Sequence, residues 1–455
     1  MTVVEAINHW LDASDPGRDR RCLVAFSGGM DSQVLLHALA TLPPPAPALA
    51  ALHLDHALQP ASADWAARCR RVCRGLSVEF LTHRLDSLDG DGGTEAAARA
   101  ARYRWFAQVM EPSDVIVTAH HLDDQAETLL YNLCRGAGPR GLSAMPRERP
   151  FATGSLARPL IDLPRRAPAE YAREHGLEWI DDPSNLDTGF DRNYLRRRVM
   201  PAIVERWPNA AGSFRRAAVN IAESMAILDR LAAAQIGDAT VAGAFNPLSD
   251  VPVLDATMLA ALPAEEFCNL ARHWIEQGGW RPPSRRRLLY FREHLVCSRA
   301  GAGAFTFDGA EIRRYRRMLY LVPSVPRETP PPGRWRFDLA LALPGTGPVL
   351  DAVAVTGRGL SRACIASRGA MVDFVTGDRE LRPNEGGPRK SLRKLFQERG
   401  VPPFIRRILP RIMIDGEPAA VAHLAVDCRF RAAPGQPGIE PVLRRAPGRT
   451  SNPAD

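Results

Sequence analysis

Residues 20–190 alternate short apolar runs with stretches of helical periodicity, four times in succession. The apolar runs are CLVAF, LAALHLDHAL, VEFLTHRL and DVIVTAH. Buried strands that alternate with helices predict a parallel sheet with helices on both of its faces. The predicted fold class is therefore α/β with a doubly wound parallel sheet, in which a ligand binds at the carboxyl ends of the strands.

The remainder of the chain predicts smaller domains, because 455 residues are too many for one ordinary core. Helical patterns follow the sheet, then comes a Pro-rich stretch, and short strands return around a basic helix. We expect five segments: a catalytic domain at 1–215, a small mostly helical middle domain with its connecting helix at 216–322, a Pro-rich linker at 323–349, a small α+β C-terminal domain at 350–434 and a disordered tail at 435–455.

Composition predicts a cytoplasmic location. No run approaches the roughly 18 uncharged apolar residues that a membrane span needs, and the N-terminus carries acids where a signal peptide carries bases. The eight cysteines form no C-x-x-C pair, and the closest two, Cys69 and Cys73, are one helical turn apart. We therefore predict a cytoplasmic protein with reduced cysteines and no membrane partner.

Positive charge is concentrated in two windows, called here the first and second basic islands. The chain has a net charge of +8, whereas residues 189–216 and 376–411 carry net charges of +5 and +6. Two basic surfaces on a slightly acidic body are typical of docking sites for a polyanion. The alternative is ordinary solvated arginine, because all but two of the 59 basic residues are Arg.

A glycine-rich turn joins the first predicted strand to its helix, with the sequence Ser27-Gly28-Gly29-Met30-Asp31-Ser32. Glycines let backbone N–H groups approach an anion, and the helix N-terminus adds a favourable dipole. The two serines can donate hydroxyl hydrogen bonds, and Asp31 can hold Mg²⁺ or cap the helix. The phosphate loop with a lysine for the β- and γ-phosphates is absent. The sequence predicts a phosphate site of another kind, with a plain turn as the alternative.

Three acids follow the fourth predicted strand, in the stretch TAHHLDDQAET at 118–128. Asp123, Asp124 and Glu127 fall in the first turn of a helix, where negative charge complements the helix dipole. Asp124 and Glu127 also share one face of that helix. Simple acidic capping is one explanation, but beside a phosphate loop we favour acids that bind a metal or an ammonium. No third ligand stands at zinc spacing.

The stretch AFSGGMDS resembles the signature of the N-type ATP pyrophosphatases, which bind the pyrophosphate of ATP while the α-phosphorus is attacked. Four further pieces make the chain similar to the tRNA(Ile)-lysidine synthetases within that group; they lie at 93–106, 158–187, 191–201 and 377–412. The combination is far more specific than any one motif. The resemblance implies an adenine nucleotide α-hydrolase-like fold for the first domain.

The resemblance also implies a reaction in two steps. ATP adenylates the 2-carbonyl oxygen of the wobble cytidine in the CAU anticodon of tRNA(Ile), and pyrophosphate is released. The ε-amine of free L-lysine then displaces AMP to give lysidine. ATP and Mg²⁺ are the implied cofactors, tRNA(Ile) and L-lysine are the implied partners, and a homodimer is left open.

The family positions suggest roles for individual residues. Asp124 and Glu127 match the lysine-recognising acids, and His120 matches the histidine near the adenylation site. Arg192 and Arg196 match arginines at the mouth of the site, so we assign them to the α-phosphate or the anticodon backbone, with helix-surface arginines as the alternative. No individual role is assigned to Thr94, Glu95, Arg99 and Arg102.

Other candidates come from their place in the predicted fold. Asp55 and His56 end the second predicted strand, where the base or ribose of a nucleotide would reach, although His56 fits a turn histidine equally well. The candidates for tRNA contacts lie in the two basic islands: Arg197, Arg198, Arg389, Lys390, Arg393 and Lys394. The only two lysines stand four residues apart, which hints that arginine is not equivalent there.

Two other functions are weighed against this prediction. A tRNA thiolase would share the loop, but sulfur transfer generally needs paired cysteines, and no C-x-x-C is present. A non-catalytic tRNA-binding protein would share the basic islands, but the intact loop beside the acidic helix start argues against it.

Overall fold

The computed structural model describes residues 1–13, 20–55, 62–85, 94–298, 303–324, 331–338, 340–342, 348–374 and 379–445. The described residues form two compact units, divided between Ala226 and Ile227. His56 and part of the predicted tail, 446–455, lie outside the described residues. Among those that are described, no helix is both long enough and apolar enough to cross a membrane.

The first unit consists of the predicted sheet and its helices. Its elements are α1 (Val3–Ala13), β1 (Cys22–Ala25), α2 (Met30–Ala40), β2 (Leu49–Asp55), α3 (Ser62–Gly75), β3 (Glu79–Arg84), α4 (Thr94–Val109), β4 (Val115–Val117), α5 (Leu122–Cys134), α6 (Pro139–Leu142), β5 (Glu148–Phe151), β6 (Gly154–Ala157), α7 (Arg166–Glu174), a 3-10 turn (Pro183–Leu186), α8 (Asp191–Tyr194), a π-turn (Leu195–Val199) and α9 (Met200–Arg206). Helix α10 (Ala210–Ala239) runs across the division between the units.

The six strands have the order β3-β2-β1-β4-β6-β5, and the four predicted strand–helix units are confirmed. Strands β1 to β4 and β6 pair in parallel, with Cys22 opposite both Leu49 and Val115. Successive strand residues enter opposite cores: Leu23 packs with the core that contains Trp105, and Val24 packs with the core that contains Trp10. The central strands β1, β2 and β4 are therefore buried on both faces, as the middle of a parallel sheet must be, whereas the edge strand β3 is largely exposed.

The sequence does not predict the last two strands of this sheet. Strands β5 and β6 form an antiparallel hairpin, with Phe151 opposite Gly154. Pro150 and the short strand length hide the hairpin, because proline is rare inside strands except at sheet edges. Gly154 is required here, since a Cβ at this position would lie 2.0 Å from the carbonyl oxygen of Asp114.

A π-turn interrupts the helix that carries the first basic island. Met200 donates its backbone N–H to the carbonyl of Leu195, five residues back, and Pro201 follows directly. Proline has no N–H to donate and its ring crowds the preceding turn, so a regular α-helix cannot continue through this position. The helix therefore widens into a π-turn just before Pro201 and continues as α9.

The second unit holds the rest of the described chain. Its elements are β7 (Leu254–Asp255), α11 (Ala256–Ala261), α12 (Ala264–Gln277), α13 (Arg285–Phe291), a π-turn (Arg292–Val296), β8 (Ala304–Phe307), β9 (Ala310–Tyr315), β10 (Met318–Pro323), β11 (Gly333–Arg334), β12 (Leu341–Ala342), β13 (Pro348–Thr356), β14 (Leu360–Ser361), α14 (Arg362–Arg368), β15 (Met371–Phe374), β16 (Glu380–Leu381), β17 (Lys390–Ser391), α15 (Leu392–Glu398), α16 (Pro403–Arg406), β18 (Pro410–Ile414), β19 (Glu417–Val421), β20 (Ala425–Val426), a 3-10 turn (Cys428–Phe430) and β21 (Pro437–Arg445). The helical part therefore precedes a strand-rich part, as predicted.

The second unit differs from the predicted segments in two places. Trp335, inside the predicted linker, is 2% exposed and belongs to a core that joins Tyr320 of β10 to Ile412 of β18. Residues 437–445, inside the predicted disordered tail, form β21, which pairs with β13 along nine residues. Both departures have one reason: a Pro-rich or polar segment becomes ordered when a partner strand or an aromatic side chain supplies burial that its own composition does not predict.

Candidate active site

The phosphate loop lies at the carboxyl end of β1, where the sequence predicts a ligand. Ser27 and Ser32 close it: their hydroxyl oxygens are 3.1 Å apart, and the Ser32 hydroxyl donates to the carbonyl of Gly29 at 2.9 Å. Gly28 has a φ of +85°, a conformation that favours glycine. Met30 begins α2, so the free N–H groups of that helix lie next to the loop.

Two contacts from outside the loop hold it in place. His53 of β2 bonds through Nδ1 to the carbonyl oxygen of Phe26 at 2.9 Å, and burial lowers the pKa of this imidazole. The backbone N–H of Ile180 donates to the carbonyl of Gly28, also at 2.9 Å. Neither residue was predicted from the sequence, because both act on the loop from elements distant in the chain.

The acids at the start of α5 are held by capping and by a neighbouring turn. The carboxylate of Asp124 accepts the backbone N–H of His121 at 2.9 Å, which satisfies one of the free donors at the helix start. The carboxylate of Asp123 accepts the backbone N–H of Arg165 at the same distance. The predicted capping role therefore exists, but Asp124 uses only one oxygen for it.

Arg196 forms hydrogen bonds with both Glu127 and the second carboxylate oxygen of Asp124. Its Nε and Nη2 donate to Glu127 at 2.7 and 2.8 Å, and Nη2 also donates to Oδ1 of Asp124 at 2.8 Å. The π-turn places this side chain over α5. A guanidinium shared by two carboxylates is a strong, directional contact, and it shows that the acid pair accepts a cation.

His121 connects the acids to the phosphate loop. It is 1% exposed, and its Nε2 lies 3.4 Å from Asp124 and 3.8 Å from Asp31. The sequence predicts its neighbour His120 instead, whose Nδ1 is 2.8 Å from the Thr118 hydroxyl. Two adjacent histidines at a strand end give no signal in sequence about which one lies next to Asp31.

Burial and the neighbouring charges raise the pKa of Glu127 but leave that of Asp124 lowered. Burial raises the pKa of Glu127, although Arg196 opposes the shift. Burial also acts to raise the pKa of Asp124, but the two histidines, the His121 N–H and Arg196 outweigh it and leave the pKa below its usual value. Glu127 is thus the easier of the two carboxylates to protonate.

A positive environment surrounds His120. Burial lowers its pKa to about 3, and Arg158, Arg99 and Arg192 add to the effect while Asp124 opposes it. Arg99 stacks over Tyr103, and its Nε and Nη2 are buried without a hydrogen-bond partner among the described residues. Buried guanidinium nitrogens without a partner are costly unless an anion binds to them.

Asp31 fits a role in binding Mg²⁺. Burial raises the pKa of its carboxyl, with Asp124 adding to the shift and His121 opposing it. Its Oδ1 is buried and accepts no hydrogen bond in the described part of the chain. No cluster of three His, Cys, Asp or Glu ligands occurs within the described ranges. Mg²⁺ needs only one or two carboxylates when phosphates and water supply the other ligands.

The other predicted residues are spread more widely. Asp55 ends β2, is buried and lies 3.7 Å from Nε of Arg84. Thr94, Glu95 and Arg102 lie on α4. Arg197 and Arg198 are exposed on the π-turn.

The candidates of the second basic island lie in the second unit. Lys390 is in β17, and its Nζ donates to Glu398 at 2.8 Å. Arg389, Arg393 and Lys394 are exposed.

Comparison with known proteins identifies the family. A PP-loop domain model matches residues 3–203, and models of the TilS substrate binding domain and the TilS substrate C-terminal domain match 254–320 and 370–443. The tRNA(Ile)-lysidine synthase of Alkalilimnicola ehrlichii is 39% identical over 418 residues, which cover 90% of this chain and 91% of the relative. The enzyme of the same name from Pseudomonas putida is 40% identical over 423 residues, covering 90% and 94%.

The match extends from the phosphate loop through the acids and Arg196 to the strand-rich end of the second unit. The phosphate loop, the acids and both later domains all lie within the matched ranges, in this order along the chain. The sequence identity to the two relatives, 39% and 40%, is well above the level at which two proteins share only a fold. The chain therefore belongs to the tRNA(Ile)-lysidine synthase family.

Proposed function

We propose that this protein joins free L-lysine to the 2-position of the wobble cytidine in tRNA(Ile) with a CAU anticodon, at the expense of ATP. One observation carries the proposal: a phosphate loop and a pair of cation-binding acids meet at one site through His121, which lies 3.8 Å from Asp31 and 3.4 Å from Asp124. An enzyme that activates a carbonyl with ATP and then admits an amine needs these two parts side by side.

In the first step the 2-carbonyl oxygen of cytidine attacks the α-phosphorus of ATP, and the bond to pyrophosphate breaks. The loop supplies backbone N–H groups, two serine hydroxyls and the N-terminus of α2 to the departing phosphates. The unpaired guanidinium of Arg99, with Arg192 near His120, supports a further anion site for the α-phosphate. Bound Mg²⁺, held by Asp31, would neutralise phosphate charge.

In the second step the lysine ε-nitrogen attacks C2, the C2–O bond breaks and AMP leaves. The ε-ammonium must first lose a proton. Because burial raises the pKa of Glu127, this carboxylate is the better proton acceptor, whereas Asp124 stays charged and holds the ammonium. The guanidinium of Arg196 contacts both acids, so lysine takes over part of its hydrogen bonding when it binds.

The two basic islands support the binding of tRNA by both units. The first lies beside the acids, and the second carries exposed Arg389, Arg393 and Lys394. Neutralising phosphates with such residues releases counterions and makes affinity dependent on salt. A cytoplasmic location and a homodimer stay predictions. Sedimentation of the purified protein tests whether it forms a homodimer.

One assay tests the proposal. The protein is incubated with ATP, Mg²⁺, labelled lysine and a tRNA(Ile) transcript, and each component is omitted in turn. We expect label in the tRNA only in the complete mixture, and no label with the Asp31→Ala variant. A methionine tRNA transcript with the same CAU anticodon is the control. Release of pyrophosphate that does not depend on tRNA would contradict the proposal and favour a small-molecule synthetase.

The thiolase alternative is not favoured. The relatives of high coverage are lysidine synthases, and all eight cysteines are free, with Cys69 and Cys73 buried. Burial raises the pKa values of these two thiols to about 12 and about 11, so they are poor nucleophiles.

A further inference from the structure

An exposed aromatic ring lies two residues before Arg196. Tyr194 ends α8 and is 52% exposed, whereas the next residue, Leu195, is buried. The helix at this point packs against α5, which carries the acids. Tyr194 makes no hydrogen bond or ring contact with any described residue through its side chain, so the fold makes no visible use of it.

The backbone under Tyr194 is held firmly. The side-chain amide of Asn193 donates to the carbonyls of Ser184 and Asp187 at 2.9 and 2.8 Å, which fastens the 3-10 turn to α8. That turn presents a second apolar side chain, Leu186, which is 62% exposed. The same segment contacts the phosphate loop through Ile180. Tyr194 and Leu186 therefore lie on two segments that are hydrogen-bonded to each other.

The arginines next to Tyr194 indicate which class of molecule this surface binds. Arg197 and Arg198 follow Tyr194 at three and four residues, are exposed, and form no ion pair with any described residue. The first basic island holds seven arginines against two acids. The exposed apolar side chains here are Tyr194 and Leu186, with Trp207 further along the first basic island, and they stand among exposed arginines, whereas a protein partner needs a contiguous apolar patch of hundreds of square ångströms. An aromatic ring beside unpaired arginines is instead suited to single-stranded RNA, with a base on the ring and phosphates on the arginines.

We propose that Tyr194 is a stacking platform for a nucleotide that flanks the modified cytidine in the anticodon loop, with Arg197 and Arg198 binding the adjoining phosphates. The inference rests on the proposed function. Cytidine must leave the stack of the loop before its 2-carbonyl reaches ATP, and its neighbour then loses a stacking partner. The ring of Tyr194 replaces that partner.

The test is tRNA(Ile) binding by the full-length protein at several salt concentrations, without lysine. We expect Tyr194→Ala to weaken binding about tenfold or more, as loss of a stacked base does, and to leave the salt slope unchanged. Tyr194→Phe should restore the affinity, because stacking needs the ring and not the hydroxyl. The double variant Arg197→Ala, Arg198→Ala should reduce the salt slope by about 2.

Leu133 offers a control, because it is another exposed apolar side chain, at 56%, at the end of α5 opposite to the acids. Leu133→Ala should bind tRNA like the wild type, and the ATP affinity of every variant, measured without RNA, reports on folding. A 2-aminopurine next to the target cytidine should be quenched by the wild type and less so by Tyr194→Ala.

Wild-type affinity in Tyr194→Ala, or a Tyr194→Phe variant as weak as Tyr194→Ala, would overturn the inference alone. Failure of the wild type to bind tRNA(Ile) would overturn the proposed function as well.

Discussion

Gly28 occupies a position in the phosphate loop that admits only glycine. A Cβ there would lie 2.6 Å from Cδ1 of Ile180 and 2.8 Å from Sγ of Cys69, and φ is +85°. We expect Gly28→Ala to lower the free energy of unfolding by about 1–3 kcal/mol and to weaken ATP binding. Gly29→Ala is the control, because its φ is −74° and the nearest atom would be 3.5 Å away. Urea unfolding measures the free energy of unfolding of both variants. Equal losses in Gly28→Ala and Gly29→Ala would contradict the argument from the backbone conformation of Gly28.

Asp31 illustrates how a functional residue costs stability. Burial raises the pKa of its carboxyl above the 3.8 of an exposed aspartate. The unfolded chain therefore releases its proton first as pH rises, and stability is lost between pH 3.8 and the higher folded pKa. Without nucleotide, we expect Asp31→Asn to have a higher Tm than the wild type at pH 7 and the difference to vanish towards pH 3.8.

Thermal unfolding across this pH range, with and without ATP and Mg²⁺, checks the prediction for Asp31. Asp123→Asn is the matched control. It should lower the Tm, because it removes the negative charge at the start of α5 and weakens the hydrogen bond that the carboxylate accepts from the N–H of Arg165. A wild type more stable than Asp31→Asn at pH 7 without nucleotide would contradict the prediction.

At the scale of elements, the π-turn before Pro201 sets the direction of Arg196. With a backbone N–H restored, Pro201→Ala allows a regular α-helix, which rotates the side chains of Leu195–Val199 relative to α5. We expect unchanged or higher thermal stability and a loss of lysine transfer of up to about 100-fold, since a displacement of 1 Å has an effect of that size.

Pro208→Ala is the control for Pro201, because Pro208 is exposed and follows the end of α9. It changes the entropy of the unfolded chain in the same way but leaves the π-turn intact. Full activity of Pro201→Ala would show that Arg196 does not depend on the π-turn.

The only two lysines of the chain lie around the start of α15, with Lys390 in β17 and Lys394 in the first turn of α15. Lys390 is paired with Glu398, whereas Lys394 is exposed. We expect the double variant Lys390→Ala, Lys394→Ala to bind tRNA more weakly and with a salt slope reduced by up to about 2. Glu398→Gln should have the opposite effect, because it releases Lys390. Filter binding over a range of salt measures both, and an unchanged affinity and slope in the double variant would remove these lysines from the interface.

At the scale of the whole molecule, the division at Ala226 predicts two unfolding transitions. The phosphate loop lies in the first unit, so ATP with Mg²⁺ should raise only one of them. At 100 times its Kd a ligand adds about 2.7 kcal/mol, which corresponds to a Tm shift of about 5–11 °C for a unit of this size. Calorimetry with Gly28→Ala identifies that transition, and one joint transition that moves as a whole would contradict the prediction.

On its own, the local sequence determined the parallel sheet, the phosphate loop and the start of α5. The four apolar runs predicted the parallel sheet, because its central strands are buried on both faces and must be continuously apolar. The glycine-rich turn predicted the phosphate loop, and the acids at 123–127 predicted the start of α5. Both features depend on residues that are neighbours in the chain.

Tertiary structure alone decided which side chains meet. His121 rather than its neighbour faces Asp31, Arg196 reaches Asp124 and Glu127 from 72 and 69 residues away, and His53 and Ile180 hold the loop from other elements. Strand β21 is ordered only because β13 pairs with it. Periodicity and turn chemistry report on a residue's immediate neighbours, whereas these contacts depend on packing between segments that are distant in the chain.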